Sequence, residues 1–426
     1  MLILLTMSKL SAIFGQVIVL GRFNLCYRIG CRERVPMAQI VELEFIPVSV
    51  PYTRTEVSAL VTRRGVTDVL IKATDKNGQV GWGESASGAN IESVLETLKA
   101  MKPMVLGRSS WDREAIRETL WRKAIWQYRK PTACFAFAGI DIALADICGK
   151  ECNQSLYRLL GGKVRDFVNY YFYLQHSSPE HIYAQGREGI ERGYSIFYLK
   201  VGVNVDKELE MVRALRESIG PVAKIRLDAN GAWTVNEGLR NIGKFDLYDI
   251  DFVEQPVTQD PVSNMQEVRQ KSRVAISANE GMWSSEDAYR QIRARVADVY
   301  CFSPYWVGSM LEFQRMSMVA HYEGLQVCRH SHGELGIAAA AFHHVSLTLP
   351  NLVDGSQQYA QIMEDDILTA PLPTASFPNW GVPEGAGISV EVDESKVQRY
   401  HEKYLSHGQF LPYDATIETT VFQGSD

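Results

Sequence analysis

Six polar residues recur at a near-constant interval through the second half of the chain: Lys200, Asp228, Glu254, Glu280, Ser303 and His330, spaced by 23 to 28 residues. Each follows a short apolar run, as in "RLDANGAW", where Ile225 and Leu227 lead to Asp228. A carboxylate at the mouth of a buried strand is costly to desolvate unless something compensates it. One such Asp reads as a loop-starting Asx turn. Three acids at one interval ask for more. The interval is that of one strand plus one helix, and a closed parallel barrel brings the C-terminal ends of all its strands to one face. Asp228, Glu254 and Glu280 would then converge and repel. A hard divalent cation with oxygen ligands relieves that repulsion, and carboxylates with water suit Mg²⁺. Lys200 and His330 stand at two other strand ends.

The elements that must position these residues are legible as pattern. Residues from about 38 to 85 read as strands, with a hairpin in "VTDVLIKATDKNGQVGWGES" that turns at Asp75-Lys76-Asn77-Gly78. "ACFAFAGIDIALADICGK" reads as one long helix whose small residues allow close packing, a structural role. After Gly161-Gly162 the rhythm changes to strand–helix alternation. It starts with "DFVNYYFYL" and "PEHIYAQGREGIERG" and runs to "LQVCRHSHG". Such alternation implies parallel strands with crossover helices, and seven or eight units imply a barrel. The first 36 residues are apolar but carry neither a basic region nor a clear cleavage site, and are read as an extension without assigned role.

Bulk properties exclude several classes. The chain has 426 residues, 46% hydrophobic and 22% charged, with net charge −6. That gives no reason to expect nucleic acid or an anionic membrane as partner. The seven cysteines are scattered, and Cys148 and Cys152 lack a second pair that would complete a zinc site. Reduced thiols and a cytoplasmic location are expected. No run of about 18 uncharged apolar residues suggests a membrane span.

Several motifs resemble one family. "AFAGIDIALADICGK" with "QSLYRLLGG", then "YLKVG", "LDANGAW", "VEQP" and finally "VPEGAGISVEVDESKVQRY" are similar to successive segments of the enolase superfamily, mandelate racemase/muconate lactonizing enzyme branch. The resemblance covers nearly everything from Met37 on. It implies an α/β fold: a modified TIM barrel, (β/α)₇β, with an α+β capping domain built from the N-terminal region and the C-terminal tail. The corresponding boundaries are 37–165 for the cap, 166–385 for the barrel and 386–426 for the segment returning to the cap. It implies Mg²⁺-dependent removal of the α-proton of a small carboxylate substrate through an enediolate, by a homo-oligomeric enzyme. Removing that proton puts a second charge on the same group, and a divalent cation on the carboxylate offsets it while a Lys or His takes the proton. Dehydration of a hydroxy acid or acid sugar is the preferred reading. Racemisation or epimerisation comes next, then cycloisomerisation, then a catalytically idle ligand-binding barrel.

The resemblance also implies roles. Asp228 and Glu254 match the first two metal ligands. Glu280 is taken as the third for its charge, with Asn279 as the alternative. Lys200 and His330 match the catalytic groups. Tyr198, Asn230, Asn279, Trp306, Arg329 and Glu334 are read as substrate-binding or mouth-lining. The chain departs from the family pattern at Tyr198, which stands where members commonly carry a second lysine. Mg²⁺ and desolvation would have to lower the Lys200 pKa instead. It departs again at Ser303, where a carboxylate usually orients the histidine, so Glu334 is the candidate orienter of His330. Trp306 replaces the second lysine of cycloisomerase-type members. Trp283, Tyr305 and Trp306 suggest an apolar component of the substrate, and Arg329 an anion or hydroxyl partner. Tyr52, Arg54 and the loop Glu84–Asn90 are the cap segments expected to close over the mouth.

Overall fold

The computed structural model describes residues 38–86, 90–123 and 131–411. The extension 1–36 and part of the Glu84–Asn90 loop lie outside them. β1 (Ile40–Val57), β2 (Thr62–Asp75) and β3 (Val80–Ala86) form a three-stranded antiparallel sheet. Against it packs the helix Thr132–Cys152, whose residues Ala133–Gly149 are all buried. Glycine is required where the two meet. A Cβ on Gly83 would lie 2.0 Å from the Gly139 carbonyl, so the small-residue helix has the close-packing role expected of it. Among the described residues it is also the one helix long and apolar enough to cross a membrane, and 94% of its apolar window is buried inside the protein. The helix Glu394–His407 returns to this layer and packs on β1, with Lys72 paired to Glu394 and His401 bonded to the Pro47 carbonyl.

The remainder is the barrel. The stretch read as one strand, "DFVNYYFYL", is split into β4 (Phe167–Asn169), which pairs outside the barrel, and β5 (Phe172–Tyr173). β6 (Ile196–Lys200), β7 (Lys224–Asp228), β8 (Ile250–Glu254), β9 (Ala275–Ala278), β10 (Val299–Phe302) and β11 (Gln326–Arg329) follow in order. β5 to β11 form one parallel sheet in sequence order, with helices between consecutive strands. Closure comes from an eighth segment. Leu352 bridges Val327, Ser356 bridges Tyr170, and the Gln357 amide donates to the Arg329 carbonyl. This is the expected (β/α)₇β barrel. Local chemistry sets the helix starts: Thr234 and Glu237 form a capping box on Val235–Phe245, and Asn204 caps Val205–Ile219.

Candidate active site

Register does the first part of the assembly. Lys200 on β6 pairs with Asp228 on β7, which pairs with Glu254 on β8, so the three stand in one row across the barrel. Glu280 lies two residues past the end of β9, and His330 directly follows β11, its amide donating to the Phe302 carbonyl. The chain leaves two of these strand ends in the left-handed region, at Asn230 (φ 46°) and Gln255 (φ 37°). Non-glycine residues adopt that conformation at a cost, and it is held here because their bonds shape the mouth. The Gln255 side-chain oxygen accepts from the Asn279 amide at 2.8 Å.

Asp228 serves two purposes. Its Oδ1 accepts from the Asn230 amide at 2.8 Å, an Asx turn, while Oδ2 accepts from Lys200 Nζ at 2.6 Å and from the Tyr198 hydroxyl. Glu254 Oε1 accepts from Gln357 Nε2 at 3.2 Å, and Glu280 Oε1 accepts from Asn230 Nδ2 at 2.9 Å. Glu254 Oε2 and Glu280 Oε2 are buried and have no partner. Burial and then the neighbouring Asp228 carboxylate push the Glu254 carboxyl well above its ordinary range. The same two causes push Glu280 up to about 7, against the lowering effects of Asn230 and Lys200. Burial pulls the Lys200 ammonium down, but Asp228, Glu56 and Glu254 together outweigh it and leave the pKa above that of an ordinary lysine.

Two orphaned carboxylate oxygens beside a third carboxylate are an all-oxygen donor set, which fits a hard divalent cation. Among the described residues no group of three His, Cys, Asp or Glu side chains is already gathered closely enough to hold one. Here Lys200 and Tyr198 bond Asp228 Oδ2, and Asn230 bonds one oxygen of Glu280. The alternative ligand Asn279 spends its Nδ2 on the Cys301 carbonyl at 2.8 Å.

A cavity of about 340 Å³ opens over this cluster. Lys200, Asn230, Asn279, Glu280, Trp306 and His330 line it, together with Trp283. His330 lies against Trp306 (ring centroids 4.6 Å apart, 29° between planes) and edge-on to His332 (4.7 Å). Its Nδ1 is buried without a partner. Burial, then His332 and Lys200, hold its pKa well below that of free histidine.

Several expected contacts are not formed. Arg329 and Glu334 do not reach the cavity. They are 1% and 4% exposed and pair with each other, Arg329 also donating to the Gln357 carbonyl at 2.5 Å. Glu334 further accepts from the Ser331 hydroxyl and the His332 amide, so it braces the loop after β11 and does not orient His330. Ser303 caps the turn that follows it, and Tyr305 donates to the Glu84 carbonyl. Glu84 is buried and accepts from the Leu335 and Ala338 amides at a helix start. Tyr52 is buried, and Arg54 donates to Gln185 and to the Tyr173 carbonyl. A buried ion pair that loses one partner is destabilised by about 3–5 kcal/mol. Glu334→Gln should therefore lower unfolding free energy by an amount of that order in chemical denaturation. KM at permissive temperature should stay within a factor of about two, and a large KM increase in a stable Glu334→Gln protein would return the pair to substrate binding.

The sequence reading missed the cap side of the cavity. Glu56 and Arg63 face each other in register across the β1–β2 turn, and Arg63 Nε donates to Glu56 Oε2 at 2.6 Å. Tyr173 and Tyr359 hydroxyls donate to Glu56 Oε1 at 2.6 and 2.8 Å. Burial would raise the Glu56 pKa, but Arg63 and these bonds hold it at about 2. The available signal was opposite charges equidistant from a hairpin turn, "TEVSALVTR".

Comparison with known proteins agrees with this architecture. Residues 41–161 match the mandelate racemase/muconate lactonizing enzyme N-terminal domain, and residues 182–396 match the enolase C-terminal domain-like family. The chain is 28% identical to muconate cycloisomerase 1 of Acinetobacter baylyi, over 84% of this chain and 98% of that protein. It is 27% identical to the N-succinyl-L-Arg/Lys racemase of Bacillus cereus, over 84% and 97%. The solved muconate lactonizing enzyme from Pseudomonas fluorescens superposes with TM-score 0.80 at 26% identity, covering 85% of this chain and 99% of that one. Other relatives include dipeptide epimerases and an arabinonate dehydratase. The chain therefore belongs to the mandelate racemase/muconate lactonizing enzyme branch of the enolase superfamily, and it is an enzyme of lyase or isomerase type whose family works with a divalent metal ion.

Proposed function

We propose that the enzyme moves the α-proton of a carboxylate substrate between the two faces of the α-carbon, with Lys200 on one face and His330 on the other. The observation that carries this reading is their convergence: they stand at the ends of β6 and β11, far apart around the sheet, and line one cavity with Glu280 between them in chain order. Asp228, Glu254 and Glu280 would hold Mg²⁺. Bound there, the ion offsets the negative charge that develops on the substrate carboxylate as the α-proton leaves. Lys200 Nζ, on a strand end and bonded to Asn230 Oδ1 at 3.1 Å, holds or takes a proton at the carboxylate-cluster side of the cavity. His330 accepts or returns a proton through its ring from the aromatic side. Trp306 stacks on that ring and covers one of its faces.

This reading turns from dehydration toward racemisation or epimerisation, for a reason in the site. Expelling hydroxide needs a proton donor at the leaving oxygen. An imidazolium would supply it, but no carboxylate stands behind His330 to stabilise that charge, and burial disfavours it. In inversion a resting neutral His330 takes the α-proton from one face while the Lys200 ammonium returns one to the other, so the imidazolium arises only as the proton is taken and need not be present beforehand. The test is a panel of chiral carboxylic acids incubated with enzyme and Mg²⁺ in D₂O and followed by proton NMR and chiral chromatography. The expected result is deuterium entering the α-position of at least one acid with inversion. Formation of a keto acid from a hydroxy acid would move the assignment back to dehydration, and metal-dependent binding with no exchange by any acid would make the barrel idle.

A further inference from the structure

We infer that the cap-side end of the cavity is a subsite for one neutral hydrogen-bond acceptor, so that the substrate is a monocarboxylate whose apolar body ends in a carbonyl, ether or hydroxyl oxygen and not in a second anion. This rests on the proton-transfer reading only in placing the substrate carboxylate beside Lys200.

Arg63 is the group at that end, lining the cavity with its side chain 23% exposed. A guanidinium has five N–H donors. Nε donates to Glu56 Oε2, and Nη2 donates to Glu56 Oε1 at 3.0 Å and to the Tyr359 hydroxyl at 2.9 Å. Nη1 makes one long bond, 3.4 Å, to the His332 carbonyl. Among the described residues, one Nη1–H is left without a protein acceptor. Its charge is already matched, because Glu56 is buried and ionised against it. A second substrate carboxylate here would meet a guanidinium whose charge Glu56 already largely offsets, so its attraction is weakened while its desolvation cost stays. A neutral oxygen accepts the spare N–H without that cost. The cavity wall also carries the apolar side chains Leu60, Val61, Phe135, Trp283 and Trp306. Trp283 and Trp306 meet edge to face, with centroids 4.7 Å apart, which makes that wall rigid.

The experiment is isothermal titration of the Mg²⁺-saturated enzyme with a homologous series of straight-chain monocarboxylates ending in a methyl ketone, each against the dicarboxylate of equal length. The wild-type enzyme should bind the best keto acid about tenfold more tightly than its dicarboxylate counterpart, because both accept the Nη1–H bond but only the carboxylate carries a desolvation cost that the already paired Arg63 does not offset. Glu56→Gln keeps the shape but leaves Arg63 uncompensated, and should shift the ratio about tenfold toward the dicarboxylate. A wild-type preference for the dicarboxylate overturns the subsite, as does an unchanged ratio in a Glu56→Gln enzyme that melts cooperatively. If that variant does not fold, the wild-type ratio alone decides. The same compounds carried through D₂O exchange separate the two readings. Exchange confined to dicarboxylates leaves proton transfer standing and removes the subsite. A tenfold keto-acid preference with no exchange leaves the subsite standing and removes the chemistry.

Discussion

Glu254→Gln and Asp228→Asn should abolish Mg²⁺ binding and turnover while leaving the fold intact. The physical basis is the crowding of acids at one strand-end row. Asp228, at 0% exposure, and Glu254, at 1%, are neighbours on β7 and β8, and Glu254 is driven toward its protonated form by burial and by Asp228. An ion bound there stabilises the folded state by mass action, by about 2.7 kcal/mol at a free concentration a hundred times its dissociation constant. The wild-type melting temperature should therefore rise with added Mg²⁺. The Glu254→Gln protein, relieved of one buried carboxylate, should melt at or above the metal-free wild type and show no further rise. Calorimetric titration and thermal scans with and without Mg²⁺ measure both effects. Turnover by Glu254→Gln above one per cent of wild type, or an undiminished Mg²⁺-induced rise, would remove the metal from this site. The pair Glu280→Gln and Asn279→Ala identifies the third ligand. Glu280 Oε2 is an unpartnered carboxylate oxygen and Asn279 offers only a neutral amide oxygen, so Glu280→Gln should raise the Mg²⁺ requirement sharply and Asn279→Ala only slightly.

The second large effect divides labour between Lys200 and His330. Lys200→Ala should stop proton removal from one stereochemical face only. His330→Asn should stop removal from the other while Lys200 continues to exchange its proton, so that deuterium washes into the α-position of a substrate enantiomer the variant no longer inverts. A positioned general base contributes roughly 10²–10⁴-fold, so each block should be plain in initial rates. The asymmetry of the site adds an expectation. Lys200 is bonded to Asp228 and Asn230, whereas the His330 ring packs on Trp306 and His332 and its Nδ1 is unpartnered among the described residues. Lys200→Ala should therefore also disturb Mg²⁺ affinity, and His330→Asn should leave it unchanged. If His330→Asn matches wild type in both inversion and exchange, His330 is a wall residue and Lys200 works alone.

The sequence by itself determined the barrel, the row of strand-end acids, and Lys200 and His330 at two further strand ends. Those features depend on periodicity: one polar residue per strand–helix unit, a code that is local and additive along the chain. Other features depend on which distant groups share a buried space, and only the tertiary structure decided them. Arg329 and Glu334 looked like pocket residues because they are charged and lie beside His330. A charge buried that deeply needs a counter-charge, and each met that need with the other. Glu56 and Arg63 carried only a hairpin-charge signal, yet Tyr173 and Tyr359, over a hundred residues away, draw Glu56 into the cavity roof. The missing carboxylate behind His330 could be read from Ser303, but its replacement by a Trp306–His332 wall could not, because stacking geometry is set by how β10 and β11 deliver their loops to one mouth. Strand spacing placed the reacting groups; the burial of charge, resolved between residues far apart in the chain, decided what surrounds them.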